Sequence, residues 1–281
     1  MKTNLDFSGL SEPVAKKLAS YLEGLIKLLG ENLKSVVVYG SAVAGDFDPK
    51  RSNINLLVVV ERLELSLLHD IQPYISRWAR KGMIAPLFLT CEHMNTSSDV
   101  FPIEFLDMSD FHKVVLGDDP FAKLDISREN LRLECEEKIK GSLISLRQSY
   151  LEIADRRAPM MNLVASSITG MVSVFRGLVR LAGKSAPAKR MDVVDAAAGL
   201  YGFDKRSFHK ALEIKHLAPR MTRQEMDSFY SSYLSEIEKI AIQIDKMGKK
   251  ARKEPVKEAQ KPKVMEKAKK TKPKPVSKKK K

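Results

Sequence analysis

The residues with the clearest chemical potential lie close together, in Tyr39 to Val60, YGSAVAGDFDPKRSNINLLVVV. A short β-branched run, Ser35 to Tyr39, leads into Gly40-Ser41 and then into an Ala-Val-Ala stretch able to start a helix. Glycine lets a backbone approach a bound oxyanion, serine offers a hydroxyl and an amide, and a helix start adds oriented N–H groups, so the chemistry on offer is phosphate binding. Alone, Gly-Ser after a strand reads first as a tight turn. Its context adds weight: Gly45, an extended loop, Ser52, and a second β-branched run from Ile54 to Val60, with Asn53 and Asn55 at its entry. Asp46 and Asp48 form an Asp-x-Asp inside the loop, where turn formation around Pro49 is their plainer role. Lys50 and Arg51 read first as solvent-facing charges.

Positioning these residues requires a sheet with helices on it. Ser11-Glu-Pro supplies a capping hydroxyl and an early proline, and Val14, Leu18, Leu22, Leu25, Ile26 and Leu29 follow at helical spacing up to Gly30. Ser35–Tyr39 and Ile54–Val60 read as buried strands, Leu65–Arg80 as a helix kinked or split at Pro73, and Ile84–Thr90 and Phe101–Leu106 as two further strands. This order predicts an α/β domain over residues 1–122. From about Ser127 only helical patterns occur: Leu131 to Ile153, Met160 to Leu181, Met191 to Tyr201, Lys205 to Leu217, and a last helix opened by the capping box Thr222-Arg-Gln-Glu225. In that last helix Met226, Tyr230, Tyr233, Ile237, Ile240, Ile244 and Met247 form a seam, expected to pack within an antiparallel bundle over residues 123–248 and otherwise between two chains as a homodimer.

Taken as a unit, the Gly-Ser turn, the loop and the following strand resemble the polymerase-β-like nucleotidyltransferase superfamily. Its pattern is Gly-Ser, a spacer, Asp-x-Asp entering a strand, and a third carboxylate on a later strand. An α/β domain followed by a helical bundle is also similar to the antibiotic nucleotidyltransferases. The motif resemblance spans roughly Ser35 to Asp107; the helical half matches only in kind. It implies a mixed-sheet nucleotidyltransferase fold, an NTP as substrate or ligand, and Mg²⁺. It further implies that Gly40 and Ser41, with Ser52, hold phosphates, that the two aspartate positions fall on Asn53 and Asn55, and that Glu104, in FPIEFLD, is the catalytic, metal-binding third carboxylate. Asp107 is a second candidate, three positions on, which in a strand faces the opposite way.

The departure from the pattern has a physical consequence. A two-metal site holds its ions roughly 4 Å apart, and anionic oxygens offset their repulsion. Asparagine supplies one neutral carbonyl oxygen, and Mg²⁺ prefers charged oxygens and gives up water reluctantly. Asn53 and Asn55 therefore predict a degenerate metal site with Mg²⁺ weakly held or lost, while the nucleotide's own phosphates can still bring an ion.

Composition bounds the rest. The chain has 281 residues, 43% of them apolar, and a formal charge of +14. Lys249 to Lys281 holds 16 basic and 3 acidic residues, so +13 of that charge belongs to the tail and +1 to the first 248 residues. This segment, 249–281, cannot bury enough apolar surface to offset its ordering entropy and is expected to be disordered. Ending in Lys278, Lys279, Lys280 and Lys281, it should attract polyanions, DNA or RNA first, by salt-sensitive counterion release. Two distant cysteines and the lack of a secretory pattern point to the cytoplasm. The longest uncharged stretch, Pro159 to Phe175, is too short and polar for a membrane span and reads as a buried helix. Three functions fit: nucleotide transfer from an NTP to an unknown acceptor, a weakened or inactive relative that keeps nucleotide binding, and a non-enzymatic nucleic-acid-associated protein acting through its tail. Replacement of both metal positions together favours the second.

Overall fold

A computed structural model describes residues 5–45, 47, 53–153 and 156–251. The chain opens with α1 (Glu12–Leu29), β1 (Leu33–Tyr39), the four-residue α2 (Ser41–Ala44), β2 (Asn55–Val60), α3 (Leu65–Ala79), β3 (Leu87–Thr90), α4 (Cys91–Ser97), α5 (Pro102–Asp110) and β4 (His112–Gly117). It continues with helices only: α6 (Arg128–Ile153), α7 (Arg157–Leu181), α8 (Arg190–Tyr201), α9 (Lys205–Leu217) and α10 (Arg223–Ala251). The class is therefore the expected one, a mixed α/β sheet followed by helices.

The sheet order is β3-β2-β1-β4, with β1 antiparallel to both neighbours and β2 parallel to β3. Val36, Val37 and Val38 of the central strand are all fully buried, so both faces of the sheet are covered. The period-two alternation of a strand divides them. Val36 and Val38 pack with α1 and Ile71 of α3, whereas Val37, Leu57 and Val59 pack with Met94 of α4 and Phe105 and Met108 of α5. Each such valine contributes about 1.5–3 kcal/mol of burial.

Several expectations need correction. Phe101–Leu106 is not a strand but the entry to helix α5; the fourth strand is β4, which the sequence reading missed. Pro102 sits in the first turn, where its missing N–H is harmless, and the apolar residues serve two helical faces three apart. Ile103 and Leu106 join the core of the helical part, while Phe105 and Met108 join the sheet. Two apolar faces on one short helix give a nearly continuous apolar run, which reads as a strand. The third strand begins at Leu87, after Pro86, not at Ile84. Helix α3 runs unbroken through Pro73, and Ser11 occupies the N-cap of α1 without a side-chain bond.

In the helical part, α7 packs against α5, α6, α8 and α9. It is the one described helix long and apolar enough to cross a membrane, but Met160, Val164, Ile168, Met171 and Phe175 are buried in the bundle core. Gly177 lets α6 approach closely: a Cβ there would lie 2.6 Å from Cys135 Sγ. The capping box forms as read, with the Glu225 carboxylate accepting from the Thr222 amide at 2.7 Å and the Thr222 hydroxyl accepting from the Glu225 amide at 3.2 Å. The α10 seam is buried within its own chain, and Tyr230 Oη donates to the Leu146 carbonyl at 2.8 Å. The bundle thus uses this surface, and the homodimer expectation loses the seam as its support.

Candidate functional site

The sheet and the helical bundle meet at a cavity of about 350 Å³. Its sheet side is formed by Tyr39, Gly40, Ser41, Asn55 and Leu87, its α5 side by Glu104 and Asp107, and its bundle side by Ser173, Arg176 and Arg190. Of the residues singled out in the sequence, Gly40, Ser41, Asn55 and Glu104 come together here. Asn53 is exposed before β2 and does not line the cavity. Ser52 lies outside the described residues, as do Asp46, Asp48, Lys50, Arg51 and the tail with Lys278, Lys279, Lys280 and Lys281.

Strand register builds the turn. Tyr39 pairs with Asn55 across the β1–β2 ladder, so Gly40 emerges beside the Asn55 side chain. Its φ of 77° and ψ of −143° belong to a region open to glycine. A Cβ at this position would lie 3.1 Å from Asn55 Nδ2. The Gly40 amide donates to the Phe111 carbonyl at 2.9 Å, tying the turn to the end of α5, while its carbonyl accepts from Val43 and Ala44.

Helix α5 changes the reading of the acids. Glu104 and Asp107 are three residues apart on a helix, hence on one face, and both line the cavity. The opposite-face expectation for Asp107 fails because the segment is not a strand. Asp110 continues the same row. Cations from the bundle meet all three: Lys138 Nζ lies 2.9 Å from Glu104, Arg180 Nη2 lies 2.7 Å from Asp107 and 2.6 Å from Asp110, and Arg176 Nη1 lies 3.5 Å from Asp107. The Asp107 Oδ1–Arg180 contact is a charge pair without hydrogen-bond alignment, since that oxygen has no hydrogen-bond partner.

Behind Glu104 sits a second carboxyl, Glu134 of α6. It is buried, accepts from the Ile103 amide at 2.7 Å, and lies 3.3 Å from Lys138. Burial, then its hydrogen bond with Glu104, pushes it up to about 7. Burial also opposes ionisation of Glu104, but hydrogen bonds to Glu134 and Lys138 outweigh it and hold Glu104 below the ordinary carboxylate range. Glu134 is thus the carboxyl of the two that more readily keeps its proton, and Glu104 the one that more readily carries charge.

The cations are answered less completely. Arg176 donates to the Ala188 carbonyl at 2.8 Å and stands 5.5 Å from the Phe111 ring centre, but its buried Nε has no partner. Arg190, at the first position of α8, has no carboxylate partner among the described residues. Its charge reaches Lys215, whose ammonium is held below its ordinary value by burial first and by Arg190 second.

These residues do not fit a magnesium site. Strand β3, which pairs with β2, is LFLT; it offers Leu87 to the cavity and carries no carboxylate. Asn55 gives a neutral oxygen, Asn53 is outside, and Glu104 and Asp107 already neutralise cations. Among the described residues no group of three or more His, Cys, Asp or Glu is gathered to hold a metal.

Sequence reading missed Arg176, Arg190, Glu134 and Leu87. One signal was available: Arg176 and Arg180, four apart in VFRGLVR, interrupt the longest apolar helix on one face, where an unpaired charge would be costly.

No family model matches the sequence, and no curated protein matches it. Among solved structures, the chain is similar to spectinomycin adenyltransferase AAD(9) from Enterococcus faecialis, solved with ATP and spectinomycin, at 14% identity and a TM-score of 0.48 over 80% of this chain and 99% of that one.

Proposed function

We propose that the chain is a polymerase-β-like nucleotidyltransferase-superfamily protein that binds a nucleotide in the cavity beside Gly40 and transfers it weakly or not at all. The observation that carries this reading is the imbalance of charge around the cavity. Both acids that line it are paired with cations, whereas Arg176 keeps a buried nitrogen without an acceptor and Arg190 has no carboxylate partner among the described residues. Such a site accepts an anion and has no anionic oxygen to spare for a metal. The phosphates would lie against the Gly40-Ser41 turn, where the absence of a side chain allows close backbone approach, and between the two arginines. Without a carboxylate at Asn55 or Leu87, none of the described residues on the sheet side is equipped to hold an ion that activates an acceptor hydroxyl.

The test pairs calorimetric titration of each of the four NTPs with an assay of Mg²⁺-dependent pyrophosphate release. The expected result is binding with release at background. Steady release with any NTP would sink the inactive reading, and failure to bind all four would sink the site itself. Asn55→Asp should raise metal affinity; no change would show that this position does not face the phosphates.

The lysine-rich tail supports a second, separable role in holding nucleic acid. Deleting residues 249–281 should abolish retention of DNA or RNA at low salt, and unchanged retention would dismiss it.

A further inference from the structure

We infer that the ligand of this cavity is the metal-free nucleotide polyanion, and that a divalent cation weakens its binding instead of completing the site. This rests on the nucleotide-binding reading above and goes beyond it by fixing the ionic form of the ligand.

The donors decide the matter on the sheet side. Among the described residues, the strands flanking the Gly40 turn offer the cavity Asn55 and Leu87, an amide and a hydrocarbon. Together they present one neutral oxygen where a bound Mg²⁺ would need several hard ligands, preferably charged. The acids opposite cannot be redirected without loss. Arg180 is 10% exposed, and turning Asp107 to a metal would leave that guanidinium with Asp110 alone, while turning Glu104 would release Lys138. Stripping a buried cation of its partner is among the costlier changes a protein can suffer.

The bundle side points the same way independently. Arg190 has no carboxylate partner among the described residues, Arg176 Nε is buried without an acceptor, and the Lys215 ammonium nearby feels the positive charge of Arg190. These groups together form a region of positive potential. A free nucleoside triphosphate satisfies it with its full charge. Its magnesium complex arrives with two charges fewer and with phosphate oxygens already engaged, so attraction to the arginines falls and no ligand among the described residues compensates. In sites that keep their aspartates the ion supplies the attraction; here guanidinium groups supply it, and they compete with the ion for the same oxygens.

The experiment titrates ATP into the full chain twice at matched ionic strength, once with EDTA and once with excess Mg²⁺. It is repeated with Arg190→Gln and with Arg190→Lys, so that any binding by the basic tail appears equally in all three proteins. Expected is roughly fivefold tighter binding in EDTA for the natural chain, an advantage lost in Arg190→Gln and largely kept in Arg190→Lys. Equal or tighter binding with Mg²⁺, still weakened by Arg190→Gln, would overturn the inference and leave the nucleotide site standing. Binding that Arg190→Gln leaves untouched under both conditions, or no binding at all, would overturn the site and the inference together. A thermal melt of each variant checks that it is folded.

Discussion

The acidic and basic walls of the cavity are finished to different degrees. On α5, Glu104, Asp107 and Asp110 each have a cation within 3 Å, supplied by α6 or α7. On the bundle, Arg176 keeps a buried nitrogen without a partner and Arg190 has no carboxylate among the described residues. Both walls are made of charged side chains, yet every acid has a close cation whereas Arg190 has no carboxylate partner among the described residues. The acids are thus better understood as struts joining the sheet part to the bundle than as ligands in waiting. The arginines are the residues left over for something else to satisfy.

Four substitutions break or sharpen that contrast. The largest effect should follow Asp107→Ala, which removes the carboxylate between Arg176 and Arg180 and should lower stability in urea unfolding by about 3 kcal/mol. A loss below about 1 kcal/mol would mean the acidic wall is not structural, and the contrast would fail. Next comes Gly40→Ala, which forces a Cβ into a backbone conformation kept for glycine and against Asn55; about 2 kcal/mol of destabilisation is expected, together with weaker nucleotide binding. An unchanged melting temperature would show that the turn relaxes freely.

The third concerns Glu134. A carboxyl raised to about 7 in the fold keeps a proton that the unfolded chain has already released. Stability therefore falls as pH rises from the ordinary carboxylate range to about 7. Glu104, held low, acts at the other end: its contribution is lost as pH drops below the ordinary range. Glu134→Gln keeps an acceptor for the Ile103 amide and should flatten only the first dependence. Its stability relative to the natural chain should rise by about 1 kcal/mol between about pH 5 and about pH 7.5 in urea melts. A parallel pair of pH profiles would show that the Glu134 carboxyl is not raised by the fold.

The smallest effect belongs to Arg190→Gln. A cation in the first turn of α8 opposes the helix dipole, so its removal should raise stability by about 0.3 kcal/mol, while nucleotide affinity falls. A clear loss of stability would mean Arg190 already has a structural partner, and the open wall would be closed after all.

Some of this was legible from the residues. Ser35–Tyr39 and Ile54–Val60 announced themselves as buried strands because they are short, uncharged runs rich in valine, and the β1–β2 register then sets Gly40 next to Asn55. The helices after Ser127 followed from their spacing, and Thr222 with Glu225 marked the start of α10. The α5 segment misled. Ile103, Phe105, Leu106 and Met108 serve two cores at once, and a short run with two apolar faces looks the same whether it is extended or coiled.

The sequence by itself therefore determined the local facts: which runs are buried, where chains of side chains share a face, that aspartates are absent from Asn53 and Asn55, and that nearly all the net charge lies beyond Met247. Those depend on residue types within a few positions of one another. Tertiary structure alone decided that Arg176 and Arg190 look onto the Gly40 turn from the far side, that Leu87 takes the neighbouring strand position, and that Glu104 and Asp107 spend their charge on the bundle. Electrostatic pairing depends on distance in space, and Asp107 and Arg180 are separated by 73 positions along the chain but by 2.7 Å in the fold.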